Sequence, residues 1–205
     1  MSSAPVLVLD IDGVVSLAQP GSAEPWYATL KADLGLDYEE IEREFFQREF
    51  LEVLRGRLDL YVALHGYLDS KGIADRMEEF VAYWFEKDAV IDRAVLDQAD
   101  AWRQRTGGRC FAASNQEHYR AAYLRDQAGL GAHFDEIVYS AALGVCKPDR
   151  VFYTNAQVRM GVTAAQSILF VDDRVANVDG ARMCGWRAML YRGPASLSQA
   201  LAHWG

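Results

Sequence analysis

The run Val6-Leu7-Val8-Leu9-Asp10-Ile11-Asp12-Gly13 constrains this chain more than any other stretch. Four consecutive Val and Leu residues read as a short strand buried on both faces, as inside a parallel sheet. The run stops on two aspartates two residues apart, backed by a glycine. Side chains at i and i+2 of a strand point the same way, so Asp10 and Asp12 can emerge together at one mouth of a sheet. The carboxyl edge of an open α/β sheet is where ligands bind. Two carboxylates there repel, and a divalent cation, which prefers oxygen ligands, would offset the repulsion. Taken alone, the same residues also read as an Asp-Gly turn closing a strand.

A parallel sheet needs more strands, and these come late. Ser16 to Pro25 reads as a loop, with Pro20, Gly21 and Pro25. Trp26 to about Asp92 reads as helical throughout. Ile41, Phe45, Phe46, Phe50, Val53 and Leu54 form one apolar stripe, with Glu39–Arg43 and Glu44–Arg48 as i,i+4 pairs on the wet side. Gly56 breaks that pattern and Gly72 ends the next stripe, Leu60, Leu64, Tyr67 and Leu68. Asp75 with Glu78 resembles a capping box ahead of Met77, Phe80, Val81, Trp84 and Phe85, a stripe of core character. These helices can close a small bundle of their own. From Arg93 onward strands alternate with helices: strands at 110–113, 136–139, 168–171 and 188–191, helices at 117–128, 149–160, 176–184 and 197–202, after a helix ended by Gly107-Gly108. Such alternation means right-handed crossovers and a parallel sheet that the first strand must complete. The fold expected is an α/β, Rossmann-like core of residues 1–16 and 93–205, with an inserted helical cap domain at 17–92 over the carboxyl edge.

Composition narrows the function classes. A chain of 205 residues with 51% hydrophobic residues can bury a full core, and its net charge of -8 without a Lys/Arg run argues against nucleic acid. An acidic protein that binds an anion must do so with a few placed cations. No apolar run reaches membrane-spanning length, and no basic, apolar leader precedes Asp10, so a cytoplasmic protein is expected. Cys110, Cys146 and Cys184 are odd in number and lack metal-site spacing; buried free thiols are expected.

Three later strand ends carry polar residues. Ser114-Asn115 follows the second strand, where the serine can cap a helix or present its hydroxyl to a phosphate. Lys147-Pro148-Asp149 follows the third, with the lysine held out of helical geometry by the proline and the proline suited to a helix's first turn. Asp172-Asp173 ends the fourth. One acidic pair is a turn, whereas two at one edge, with a serine and a lysine, call for a common task.

In this order, Asp10-Ile11-Asp12-Gly13-Val14, Ser114-Asn115, Lys147-Pro148 and Asp172-Asp173, with Asn177 and Gly180-Ala181 behind, the chain resembles the haloacid dehalogenase superfamily over nearly its whole length. The resemblance is to the phosphatase branch with a helical cap after strand one. It implies Asp10 as a nucleophile that forms an aspartyl-phosphate and Asp12 as general acid–base. It implies Mg²⁺ on the Asp10 carboxylate, the Asp12 backbone carbonyl and Asp172, with Asp173 and Asn177 in support. Ser114 and the Asn115 backbone would hold phosphoryl oxygens, and Lys147 would neutralise charge on Asp10 and the phosphate. A small phosphorylated metabolite, such as a sugar phosphate, is the implied substrate. A dehalogenase or phosphomutase on the same fold, or a non-catalytic phospho-ligand binder, are the alternatives; dehalogenases of this family lack the second aspartate and the metal. Arg55-Gly56-Arg57, between two cap helices, either faces the site and binds substrate or is a pair of solvated arginines at a helix break. Oligomeric state is not readable.

Overall fold

A computed structural model describes residues 4–17 and 24–205; Pro20 and Gly21, and with them most of the expected loop, lie outside the described residues. Five parallel strands form the sheet in the order β3-β2-β1-β4-β5. They are β1 Val6–Leu9, β2 Arg109–Ser114, β3 Glu136–Tyr139, β4 Ile168–Asp172 and β5 Arg187–Leu190. β1 lies at the centre, with Leu9 in register with Ala112 on one side and Val171 on the other. The Rossmann-like reading and all five strands therefore stand, with ends moved by a residue or two.

The period of two along β1 decides which layer each side chain serves. Leu7 and Leu9 join Cys110, Ala112 and Val171 in a cluster with Val95, Leu96 and Trp102 of α6 (Arg93–Thr106). Val6 and Val8 face the other way, with Phe111 and Phe170, onto Phe152, Tyr153 and Ala156 of α9 (Arg150–Arg159). Helices α7 (His118–Asp126) and α8 (Ser140–Leu143) precede α9, and α10 (Val175–Met183) and α11 (Pro194–Ala202) follow it. A sheet covered on both faces is the arrangement that an uninterrupted apolar run such as Val6–Leu9 requires.

Between β1 and α6 the described residues form helices: α1 Leu30–Leu34, α2 Tyr38–Ile41, a π-helical turn Glu42–Phe46, α3 Phe50–Leu54, α4 Leu60–Ser70 and α5 Met77–Asp88. Trp26, Leu30, Phe45, Leu64, Phe80 and Phe85 belong to a separate buried cluster. Its entry and exit run side by side: Ser16 bridges to Ile91, and the Leu17 N–H donates to the Val90 carbonyl at 2.9 Å.

Several local expectations are corrected. The π turn shifts the side-chain register, so Arg43 pairs with neighbouring Glu44 at 3.0 Å rather than with Glu39, while Arg48–Glu44 forms as expected. A short 3₁₀ turn at Ala74–Arg76 displaces the Asp75 box; α5 starts behind Arg76 with no side-chain cap, and Arg76 pairs with Glu79. Pro148 precedes the helix, whose N-cap is Asp149. All three cysteines are free, Cys184 only half-buried.

Candidate active site

The strand ends place the polar residues because each strand stops where its apolar run stops. Asp10 follows β1 directly, Ser114 and Asp172 are the last residues of β2 and β4, and all three are buried. Lys147 arrives on the loop after α8 and is buried with them. Its ammonium lies 2.8 Å from Asp10 Oδ1 and 2.7 Å from Asp172 Oδ2. Asp10 Oδ1 also accepts the Ile11 N–H at 2.7 Å, so this carboxyl is held from two sides. Asn177 donates to both oxygens of Asp172 at 3.0 Å, and the Arg174 N–H adds a third bond at 2.8 Å. Gly13 adopts a positive φ of 81°, and a Cβ there would lie 2.4 Å from Asp173 Oδ2, so only glycine lets the β1 turn approach the second acidic pair.

Charge balance explains why a cation fits. Oxygens of Asp10, Asp172 and Asp173 lie within 4.8 Å of one another. Burial, opposed by Lys147 and reinforced by the carboxylates of Asp172 and Asp12, pushes the Asp10 carboxyl well above its usual range. Burial and then Asp172 push Asp173 up as well. Asp172 moves down: burial opposes its charge, but Lys147 and the surrounding hydrogen bonds outweigh it. Two of three clustered carboxyls thus resist ionisation with one buried lysine among them. A hard divalent cation on these oxygens would supply further positive charge.

Asn115 has a further part, carried by its side chain rather than by the backbone expected to bind phosphate. Its side chain clasps the Lys147 backbone, accepting that N–H at 2.8 Å and donating to that carbonyl at 3.1 Å. It thereby sets the height of the lysine. Ser114 is no helix cap; Glu117 caps α7, accepting from the N–H groups of Tyr119 and Arg120.

Two residues that sequence reasoning missed hold Asp12, and a third, Asp88, holds one of them. Gln116 donates to its Oδ2 at 2.6 Å, and the Arg120 guanidinium lies 3.1 Å from its Oδ1. Arg120 is itself buried and reaches Asp88, at the end of α5, at 2.6 Å. Burial opposes the guanidinium charge, but Asp12 and Asp88 outweigh it, so the group is held in its charged form more firmly than usual. Arginine on a helix normally reads as a solvated face; only its proximity to two carboxylates distant in sequence marks it. The Ser16 hydroxyl anchors the same corner by donating to the Asp88 carbonyl at 2.5 Å.

Most of these side chains border one cavity of about 330 Å³. Asp10, Asp12, Ser114, Asn115, Lys147 and Asn177 line its floor, and Arg174 its rim. Asp172 and Asp173 are not in its wall but stand behind Asp10, in the carboxylate cluster. Arg55 and Arg57 are not brought there: both pair with Glu52, at 2.9 and 3.4 Å, outside the lining.

A family model for haloacid dehalogenase-like hydrolases matches residues 5–185. The chain belongs to this family. Over 80 residues this hydrolase is 32% identical to the phospholysine phosphohistidine inorganic pyrophosphate phosphatase of Rattus norvegicus, a match covering 36% of this chain and 30% of that protein. The chain thus aligns with under a third of that relative's length. Its fold is similar to that of a HAD family enzyme from Bacteroides thetaiotaomicron in complex with magnesium and inorganic phosphate, with a TM-score of 0.76, 17% identity and coverage of 93% and 95% of the two chains. A 2-haloacid dehalogenase from Pseudomonas syringae shares the fold too, with a TM-score of 0.68, 20% identity and coverage of 99% and 100%. No helix among the described residues is long and apolar enough to cross a membrane.

Proposed function

We propose that this hydrolase cleaves small phosphomonoesters, with Asp10 as nucleophile and residues 17–92 acting as a cap over the strand ends. The observation that carries the reading is Asp12, whose carboxyl stands in the same cavity as the Asp10–Lys147 pair, next to a three-carboxylate cluster. A halide leaves without a proton and has no use for a second carboxyl; an alkoxide needs one. This favours ester hydrolysis over dehalogenation.

Lys147 draws charge from Asp10 and faces the incoming phosphoryl group, while Ser114 offers its hydroxyl to a phosphoryl oxygen. Asp10 attacks phosphorus, the bond to the leaving oxygen breaks, and Asp12 passes its proton to that oxygen. Asp12 then takes a proton from the water that hydrolyses the acyl phosphate, freeing Asp10. Gln116 and Arg120, one on each oxygen, hold the Asp12 carboxyl in place throughout. Asp10 and Asp172, with Asp173 close by, are the residues that would hold Mg²⁺, which when bound neutralises phosphate charge.

The test is release of nitrophenol from p-nitrophenyl phosphate. Turnover should vanish in excess chelator and return with Mg²⁺. Full turnover in chelator, or chelator-resistant halide release from a short 2-haloacid without ester hydrolysis, would overturn the reading.

A further inference from the structure

The wall that the helical segment gives to the cavity has a composition that bears on the leaving group. Trp26, Tyr38, Phe46, Phe50, Leu54 and Trp84 make up most of it. Its charged members are Glu42 and Asp88, and both are engaged: Glu42 Oε2 accepts the Tyr38 hydroxyl at 2.8 Å, and Asp88 pairs with Arg120. Among the described residues, the cations that line the cavity, Lys147, Arg120 and Arg174, all come from sheet-domain elements. A sugar moves several hydroxyls out of water, and each one left without a partner weakens binding. This wall has few partners to give. It does not suit the sugar phosphate expected from the resemblance.

It suits a ring. The wall is already a herringbone: Phe46 meets Phe50 at 4.9 Å and 89°, Phe46 meets Trp84 at 5.2 Å and 82°, and Trp26 meets Tyr38 at 5.6 Å and 87°. Aromatic rings favour such edge-to-face neighbours, so an entering ring continues the pattern. Phe46 and Phe50 are half-buried, leaving part of each ring for a ligand. The volume, about 330 Å³, is at the small end for ligand sites, room for a phosphate and one ring rather than a nucleotide.

Resting on the phosphomonoesterase reading, we infer that the substrate class is phosphate esters of small monocyclic aromatic alcohols, with the ring seated on Phe46, Phe50 and Trp84. Benzyl phosphate and glucose-6-phosphate are both esters of primary alcohols, so their chemistry at phosphorus is matched. In the full chain with Mg²⁺, benzyl phosphate should have the higher kcat/KM by about tenfold or more, chiefly through KM. Phe46→Ala and Phe50→Ala should each cut that ratio by about threefold or more, with Phe46→Leu retaining part of it. Calorimetry separates binding from turnover: benzylphosphonate should bind about tenfold more tightly than methylphosphonate, and the alanine variants should narrow the gap. Hydrolysis without a benzyl advantage, or a preference for glucose-6-phosphate or phosphocholine, overturns the inference and leaves the phosphomonoesterase reading standing. No hydrolysis of any ester, with the benzylphosphonate preference intact and narrowed in the variants, overturns that reading and keeps the ring site. Equal binding of the two phosphonates overturns the ring site whatever the turnover.

Discussion

The floor and the helical wall of the cavity are built on opposite principles. On the floor, charged side chains are buried, short-reaching and multiply tied: Lys147 touches two carboxylates and Asp172 accepts from Lys147, Asn177 and the Arg174 backbone. In the wall, large rings touch one another, and its charged members among the described residues are Glu42 and Asp88 alone. Removing one member of a buried ionic set strands its partners, which costs several kcal/mol, whereas trimming a ring removes many small, separable contacts. The floor should therefore fail abruptly under substitution and the wall gradually. A site divided in this way can keep one chemistry while its wall changes ligand.

Asp12 offers the sharpest break. Asp12→Asn keeps the shape of the side chain but cannot donate a proton to a departing alkoxide, and turnover of an alkyl phosphate should fall by roughly 10²–10⁴. Nitrophenolate leaves readily without that proton, so phosphorylation by the aryl ester should be spared more. Hydrolysis of the acyl phosphate still needs a base. The variant should give a burst of nitrophenol and then stall with phosphate on Asp10, visible as added mass in acid-quenched samples. Equal losses for both esters and no added mass would confine Asp12 to the metal or the turn.

Arg120 should give the middle effect, because it acts through Asp12. Arg120→Met leaves Asp12 and Asp88 without the cation that both now touch, and should destabilise the protein by about 3–5 kcal/mol in denaturant titrations. Arg120→Lys keeps the charge but loses the fork that spans two carboxylates. Its fold should survive, while kcat for an alkyl ester falls by about tenfold and that for nitrophenyl phosphate falls less. A lysine variant with wild-type kcat on both esters would reduce Arg120 to a structural tie between α7 and the end of α5.

The difference between floor and wall also decided what could be read in the sequence. Asp10, Asp12, Ser114 and Asp172 lie at or just past the ends of apolar strands, so the pattern that defines a strand also announces them, whereas Lys147, on the loop after α8, is marked only by the proline behind it. Arg120 and Gln116 lie on a helix and a loop where no periodicity marks them, and their partners Asp12 and Asp88 are far away in sequence. The aromatic residues posed the opposite problem. Phe46, Phe50 and Trp84 occur in stripes that also hold Phe45 and Phe80, which are fully core. Helical spacing gives a face, and the π turn at Glu42–Phe46 rotates part of that face toward the cavity. Sequence period alone does not carry that rotation.

The smallest effect is expected at Arg55 and Arg57, where the wall would have to gain a charge for the comparison to blur. Gly56 between them has a positive φ of 67°, and a Cβ there would lie 2.5 Å from the Ala141 carbonyl oxygen. The turn is thus pressed against α8, and both guanidiniums are paired with Glu52. These pairs are largely solvated, so Arg55→Ala and Arg57→Ala should each change stability by less than about 1 kcal/mol. The kcat/KM ratio between benzyl phosphate and glucose-6-phosphate should shift by less than about twofold in either variant. A larger shift, above all one confined to the sugar ester, would mean that a guanidinium leaves Glu52 to reach bound substrate. The helical segment would then bring its own cation to the site, and the division between a charged floor and an apolar wall would hold only before substrate enters.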